Sequence, residues 1–174
     1  YKPDEYGRWV GQDGDVLLPL YEGRMIGQFD FCKKGWVSGK GRTAVWRDIP
    51  WKKKVIEPQF LMRQAEHRAA WSARPFKLAM MNIGSATNER SMLAAAIPDY
   101  PANHALATLT PASESMVPAL VAGVDGFVFD WAMRLRLGGL NISWFVLEES
   151  PLPSRPAACA AVLAQSAALS MSGP

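Results

Sequence analysis

Apolar residues recur along this chain at two different spacings, and the change of period marks its elements. Between Ala119 and Leu135, the residues Leu120, Val124, Phe127, Val128, Trp131 and Leu135 return at helical steps, drawing one apolar stripe that predicts a single amphipathic helix. Arg134 and Arg136 fall in its last turn, where exposed carbonyls favour cations, and Gly138-Gly139 offers the left-handed residue that ends many helices. Asn141 to Leu147 is rich in β-branched and aromatic residues and predicts a short strand, closed by Pro151 and Pro153.

Earlier segments follow the same logic. The turn-forming GQDGD leads into Val16-Leu17-Leu18, a strand expected to end at Tyr21, with a turn at Glu22-Gly23 and an apolar segment containing Met25, Ile26 and Phe29. Val55 to Trp71 reads as extended before Pro58 and helical after it, with Phe60, Leu61, Ala65 and the stem of Arg68 on one side and His67 as a surface residue. Leu78, Met80 and Met81 predict a strand, Asn82 to Glu89 a polar loop, and Met92 to Ile97 a second strand or short helix. Asp99 to Ala119 is a connector ordered at Leu106 to Leu109. The alanine-rich tail predicts a terminal helix from about Ser154, with Pro156 in its first turn.

Charge changes this picture more than composition does. The chain has 174 residues, 49% apolar, enough for one domain with an ordinary core, and a net charge of only +3. Yet 16 of its Lys and Arg precede residue 111 against 11 Asp and Glu, whereas 3 and 5 follow it. Between Lys33 and Lys54 eight cations (Lys33, Lys34, Lys40, Arg42, Arg47, Lys52, Lys53, Lys54) face a single Asp48, interleaved with Trp36, Trp46 and Trp51. That mixture suits nucleic acid, where cations neutralise phosphates and aromatics stack or wedge. A solvated loop with tryptophans plugging the core edge produces the same composition. GWVSGKG is not a phosphate loop, because the spacing before Gly-Lys and the following Ser or Thr are wrong.

Two cysteines, Cys32 and Cys159, are too few for a disulfide framework or a zinc site. No apolar run reaches the length of a membrane helix, and the polar N-terminus is unlike a signal peptide. A reducing, cytoplasmic setting without a membrane partner is therefore expected. Because the chain begins at Tyr1, it is expected to be a piece of a longer polypeptide.

Three passages resemble one family. LPLYEGRMIGQFDF (18–31), FKLAMMNIGSATNERSMLAAAIP (76–98) and GFVFDWAMRLRLGGLNISWFVLEESPLP (126–153) are similar, in this order, to the C-terminal target-recognition region of large adenine-N6 DNA methyltransferases of restriction-modification and phage-defence systems. Arg24 stands where the family usually has Lys, and Phe31 where it has His.

The resemblance implies an α+β fold, a small twisted mixed sheet with packed helices like the recognition domains of type I specificity subunits, over residues 1–153. A C-terminal helix or tail over 154–174 would follow. It implies double-stranded DNA as partner, together with an N-terminal methyltransferase domain of the same polypeptide. No cofactor is implied in this fragment, and S-adenosylmethionine in the parent enzyme. DNA contact would come from the eight cations of the 33–54 run, with Arg24, Gln28, Asn88 and Arg90. Asn and Arg can read base edges. A block shared by enzymes that read different sequences is not the code reader, so Asn88, Glu89 and Arg90 are expected to brace the domain or touch the DNA backbone.

The chemistry of methyl transfer is missing: there is no glycine-rich cofactor loop, and no two prolines are adjacent, which excludes an Asn-Pro-Pro-Tyr tetrad. No nucleophile-base pair, zinc-protease helix or nuclease-like acidic cluster is evident, and neither His67 nor His104 has a partner at ligand spacing. A free-standing small enzyme is disfavoured on that ground. The competing reading is a protein-interaction or assembly module of a defence complex.

Overall fold

The computed structural model describes residues 1–70, 75–152 and 160–171, and the strands in it are short, from two to six residues. In chain order these are β1 (Lys2–Pro3), β2 (Trp9–Val10), β3 (Val16–Leu20), β4 (Lys34–Ser38), β5 (Val45–Asp48), β6 (Phe60–Arg63), β7 (Phe76–Met81), β8 (Ala94–Pro98) and β9 (Leu106–Leu109). The helices are α1 (Gln64–Ala70), α2 (Met116–Val124), α3 (Phe127–Arg134), α4 (Trp144–Glu148) and α5 (Ala160–Met171). The fold is mixed α+β. In place of one mixed sheet, the described strands form three antiparallel groups: β1-β2-β3-β6, the β4-β5 hairpin, and β8-β7-β9. A parallel bridge between Tyr21 and Ala102 ties the first group to the third.

The β8-β7-β9 sheet is covered on both faces. Leu78, Met80 and Ala94 join Met92, Val121, Val124, Phe129, Met133, Ile142 and Val146 in a cluster beneath α2, α3 and α4. Ala79, Ala95 and Ile97 point the other way, into a second cluster with Leu18, Tyr21, Met25, Ile26 and Tyr100. The run of alanines in β8 is thus a strand between two packed layers, where small side chains let both approach. Helix α5 docks on α2, with Ser166 Oγ donating to Pro118 O at 2.6 Å.

Four expectations are corrected. The helix over 119–135 is two helices, α2 and α3, bent by 54° where Gly126 takes an extended conformation. After the bend, α3 buries Phe129, Asp130, Ala132 and Met133, and the stripe of Phe127, Val128, Trp131 and Leu135 faces outward. The strand over 141–147 is reduced to one bridge, Ile83 to Asn141, before α4. There Ile142, Val146 and Ser150 are buried at steps of four, and this helical period overrides the β-propensity of the segment. Phe60 and Leu61 lie in β6 ahead of α1 instead of on a helix face, and His67 is buried, not superficial. The expected start of the tail helix near Ser154, the boundary at 153, and Cys159 lie outside the described residues; α5 is described from Ala160.

Candidate nucleic-acid interface

The cationic run folds as a β-ribbon. β4 and β5 pair with Lys34 opposite Asp48, Gly35 opposite Arg47 and Trp36 opposite Trp46, and the register shifts between Trp36 and Ser38. The turn needs Gly39, whose φ is +76° and whose added Cβ would lie 2.3 Å from the Thr43 carbonyl oxygen. Trp36 Nε1 and Gln59 Nε2 both donate to Gly39 O, at 3.0 and 3.1 Å, holding the tip. Trp46 packs against the second core cluster, so this tryptophan anchors the ribbon instead of facing a ligand.

Cations occupy both ends of the ribbon. Lys40 and Arg42 are exposed at its tip, Lys33 is exposed at its base, and Lys52 and Lys53 are exposed in the 3-10 turn after β5. A five-residue strand spans about 17 Å, and the DNA major groove, about 12 Å wide, admits a two-stranded ribbon. The arrangement can therefore present positive charge to phosphates on either side of a groove.

Other residues of the expected interface serve the fold. Lys54, with a side chain only 2% exposed, is the clearest case. Its Nζ donates to Asp30 Oδ2 at 2.7 Å, Cys32 O at 2.9 Å and Ile49 O at 3.0 Å, and lies 4.4 Å from the centre of the Trp51 ring. Arg47 pairs with Glu57, and Lys34 lies 4.0 Å from Asp48. Arg24, Gln28 and Asn88 are exposed on other segments, Gln28 donating to Asp125 O at 3.1 Å. Arg90 is mostly buried, donates to Asp125 O, lies 3.7 Å from Asp130 and stacks at 4.7 Å on Phe127.

Two aspartates at the α2–α3 junction, not singled out by sequence reasoning, knit the three family-like passages together. Asp125 accepts the Ala94 amide on Oδ1 at 2.8 Å and the Phe29 amide on Oδ2 at 2.9 Å. This holds Phe29 at a φ of +56°, a left-handed conformation rare for an aromatic residue. Asp130 Oδ1 accepts the amides of Ser91 and Met92 at 2.7 and 3.0 Å, and its Oδ2 accepts Arg134 Nε at 2.9 Å. Arg134 extends to the carbonyls of Ala86 and Glu89 at 2.9 and 2.5 Å. The available signal was an Asp at each end of an FVF-type turn beside a polar NER block. Nothing in the linear spacing joined them.

Burial pushes the Asp125 carboxyl up to about 7, against the pull of the Phe29 and Ala94 amides and the Arg90 charge, with Asp130 adding to the push. A carboxyl raised on folding stabilises fully below its unfolded value near 4, and that contribution fades as pH rises through 7. Asp125→Asn lacks this titration but turns an amide group toward one backbone N–H. It is therefore expected to be less stable than the parent at pH 5, by about 1–3 kcal/mol, with the gap narrowing by pH 8. Urea unfolding at the two pH values measures this, and a gap that widens contradicts it.

Elsewhere, buried His67 lies with Nε2 2.9 Å from Asp99 O, and Lys77 pairs with Asp99 at 3.1 Å. Burial lowers the Lys77 pKa, partly offset by Asp99. Cys32 is buried, its thiol pushed up to about 12 chiefly by burial, which leaves it little nucleophilic character. Among the described residues no group of three or more His, Cys, Asp or Glu is placed to hold a metal, and no single helix is long and apolar enough to cross a membrane. Comparison with protein-family models, curated proteins and solved structures gave no match.

Proposed function

We propose that this chain is the DNA target-recognition domain of a site-specific adenine-N6 DNA methyltransferase, alone or in a methylase fused to an endonuclease. The observation that carries the reading is the β4-β5 ribbon, with exposed Lys40 and Arg42 at its tip and Lys33, Lys52 and Lys53 at its base. The ribbon enters a groove, the flanking cations hold phosphates, and the duplex is presented to a methyltransferase domain of the same polypeptide. That domain extrudes the adenine and supplies S-adenosylmethionine. The family-like blocks FDF, ATNERSM and GFVFDW support the same reading as a shared brace, because Asp125, Asp130 and Arg134 lock them to one another.

The test is the salt dependence of binding to a duplex of about two helical turns. Replacing Lys40, Arg42, Lys52 and Lys53 with Ala should weaken binding to all sequences alike and reduce the slope of log K against log salt by about 0.9 for each phosphate that is no longer neutralised. An unchanged slope removes the ribbon from the interface. A second reading, a protein-interaction module of a defence complex, is favoured by the exposed apolar side of α3. A stable protein complex formed without DNA, together with no duplex binding, would select it.

A further inference from the structure

Ser166 and Ser170 stand one turn apart on α5 and therefore share a face of it. Both are buried, 3% and 5% exposed. Ser166 Oγ donates to Pro118 O and seats α5 on α2. Ser170 Oγ has no hydrogen-bond partner. A hydroxyl removed from water without a partner is unfavourable, and a ligand that supplies one relieves that cost. The side chain opens onto a cleft of about 290 Å³ between α5, the start of α2 and β8, walled by Phe31, Phe76, Val117 and Ala167. Small-molecule sites have this character: roughly 300–1,000 Å³, mostly apolar, with a few polar groups that fix orientation.

The polar groups at this cleft select the sign of the ligand. Among the described residues lining it, Glu114 alone is charged; it is exposed and in no ion pair. An anion would find no free donor at the start of α2. The Met116 and Val117 amides already donate to Ser113 O and Glu114 O, each at 3.0 Å, and Pro118 has no amide hydrogen. Ser170 lies in the last turn of α5, the end of a helix that carries partial negative charge. Its hydroxyl can accept a hydrogen bond as readily as donate one. A cationic donor therefore finds two acceptors here beside an apolar chamber.

We propose that this cleft binds a small amine with an aromatic ring, the ring lying against Phe31 and Phe76 and the ammonium group donating to Ser170 Oγ and the Glu114 carboxylate. The site shares no residue with the β4-β5 ribbon and does not rest on the DNA reading.

Titration of the whole chain with tryptamine in the absence of DNA, followed by calorimetry and by amide chemical shifts, tests this. The expected dissociation constant is below about 1 mM, with shifts centred on Val117, Ala167 and Ser170. Ser170→Ala should raise it by about 5-fold while leaving the Tm of the unliganded chain equal or higher, because the hydroxyl bonds to nothing there. Glu114→Gln should raise it by about 3-fold, an effect that shrinks as salt rises. Ala167→Leu fills the cleft and should abolish binding with an unchanged circular dichroism spectrum. Indoleacetate, which carries a carboxylate in place of the amine, should bind more weakly by about 10-fold or more. No saturable shifts up to about 5 mM tryptamine overturns the proposal. So does equal affinity for indoleacetate, or binding indifferent to both Ser170→Ala and Ala167→Leu.

Discussion

Asp130→Ala is expected to destabilise the chain by about 3–5 kcal/mol, a fall of about 10 °C or more in Tm for a chain of this length. The substitution deprives the buried Ser91 and Met92 amides of their acceptor and strips Arg134 and Arg90 of their carboxylate. Each amide left unpaired in the interior costs about 1–3 kcal/mol. Asp130→Asn separates the contributions. An Asn oxygen in the Oδ1 position keeps both amide bonds and loses the ionic contacts to Arg134 and Arg90, so it should retain more than half of the lost stability.

The acid limb of the stability curve gives a second readout of the same residue. Burial raises the Asp130 carboxyl, but the Met92 amide, Arg134, the Ser91 amide and the Arg90 charge outweigh it and hold the pKa below the ordinary value. A depressed carboxylate stabilises above its unfolded pKa near 4, and the contribution is lost as pH falls through the folded value. Asp130→Ala should therefore unfold with a shallower dependence on acid than the parent. Thermal melts of Asp130→Ala within about 1 kcal/mol of the parent would show that the junction does not carry the fold.

Lys54→Ala is expected to act on stability and not on DNA. The ammonium is enclosed by Asp30, two carbonyls and the Trp51 ring. Its loss leaves Asp30 buried without a counter-charge, a change of about 3–5 kcal/mol. Asp30→Asn combined with Lys54→Met should recover part of that, since removing both charges also removes their desolvation. In the folded fraction of Lys54→Ala, the salt slope of duplex binding should match the parent, whereas loss of Lys52 and Lys53 should lower it. A reduced slope for Lys54→Ala alone would return this residue to the phosphate contacts.

The contrast among neighbouring lysines shows how far composition reaches. Lys52, Lys53 and Lys54 are equivalent in sequence, yet two are exposed in a 3-10 turn and the third points inward. Which one is buried depends on Asp30 and Cys32, more than twenty residues away, and a charge count carries no such information. The strands over 16–20 and 76–81 were legible as short apolar runs, the first led in by turn residues, whereas the alanine run over 94–98 left strand and short helix both open until the structure made it a strand. The loop over 82–89 was legible because it is a run of polar and small residues.

The α2–α3 segment marks the other limit. An apolar stripe states that a helical surface avoids water, but not which surface will cover it. Here the chain breaks at Gly126 and commits its polar-looking side, centred on Asp130, to the core. That choice is made by amides of Phe29, Ser91, Met92 and Ala94, which are 31 to 96 residues distant from the carboxylates they meet. A buried carboxylate with matched donors competes well with an ordinary apolar contact, because leaving those amides unpaired would be worse.

Local patterning by itself determined the strands over 16–20 and 76–81, the polar 82–89 loop and the cationic run that forms a hairpin. Tertiary structure alone decided the division into three antiparallel groups, the bend at Gly126, the burial of Lys54 and His67, and the outward turn of Trp131. The physical reason is the range of the forces concerned. Side-chain period and turn chemistry act over a few residues, whereas satisfying buried amides and charges requires partners that only the folded chain brings together.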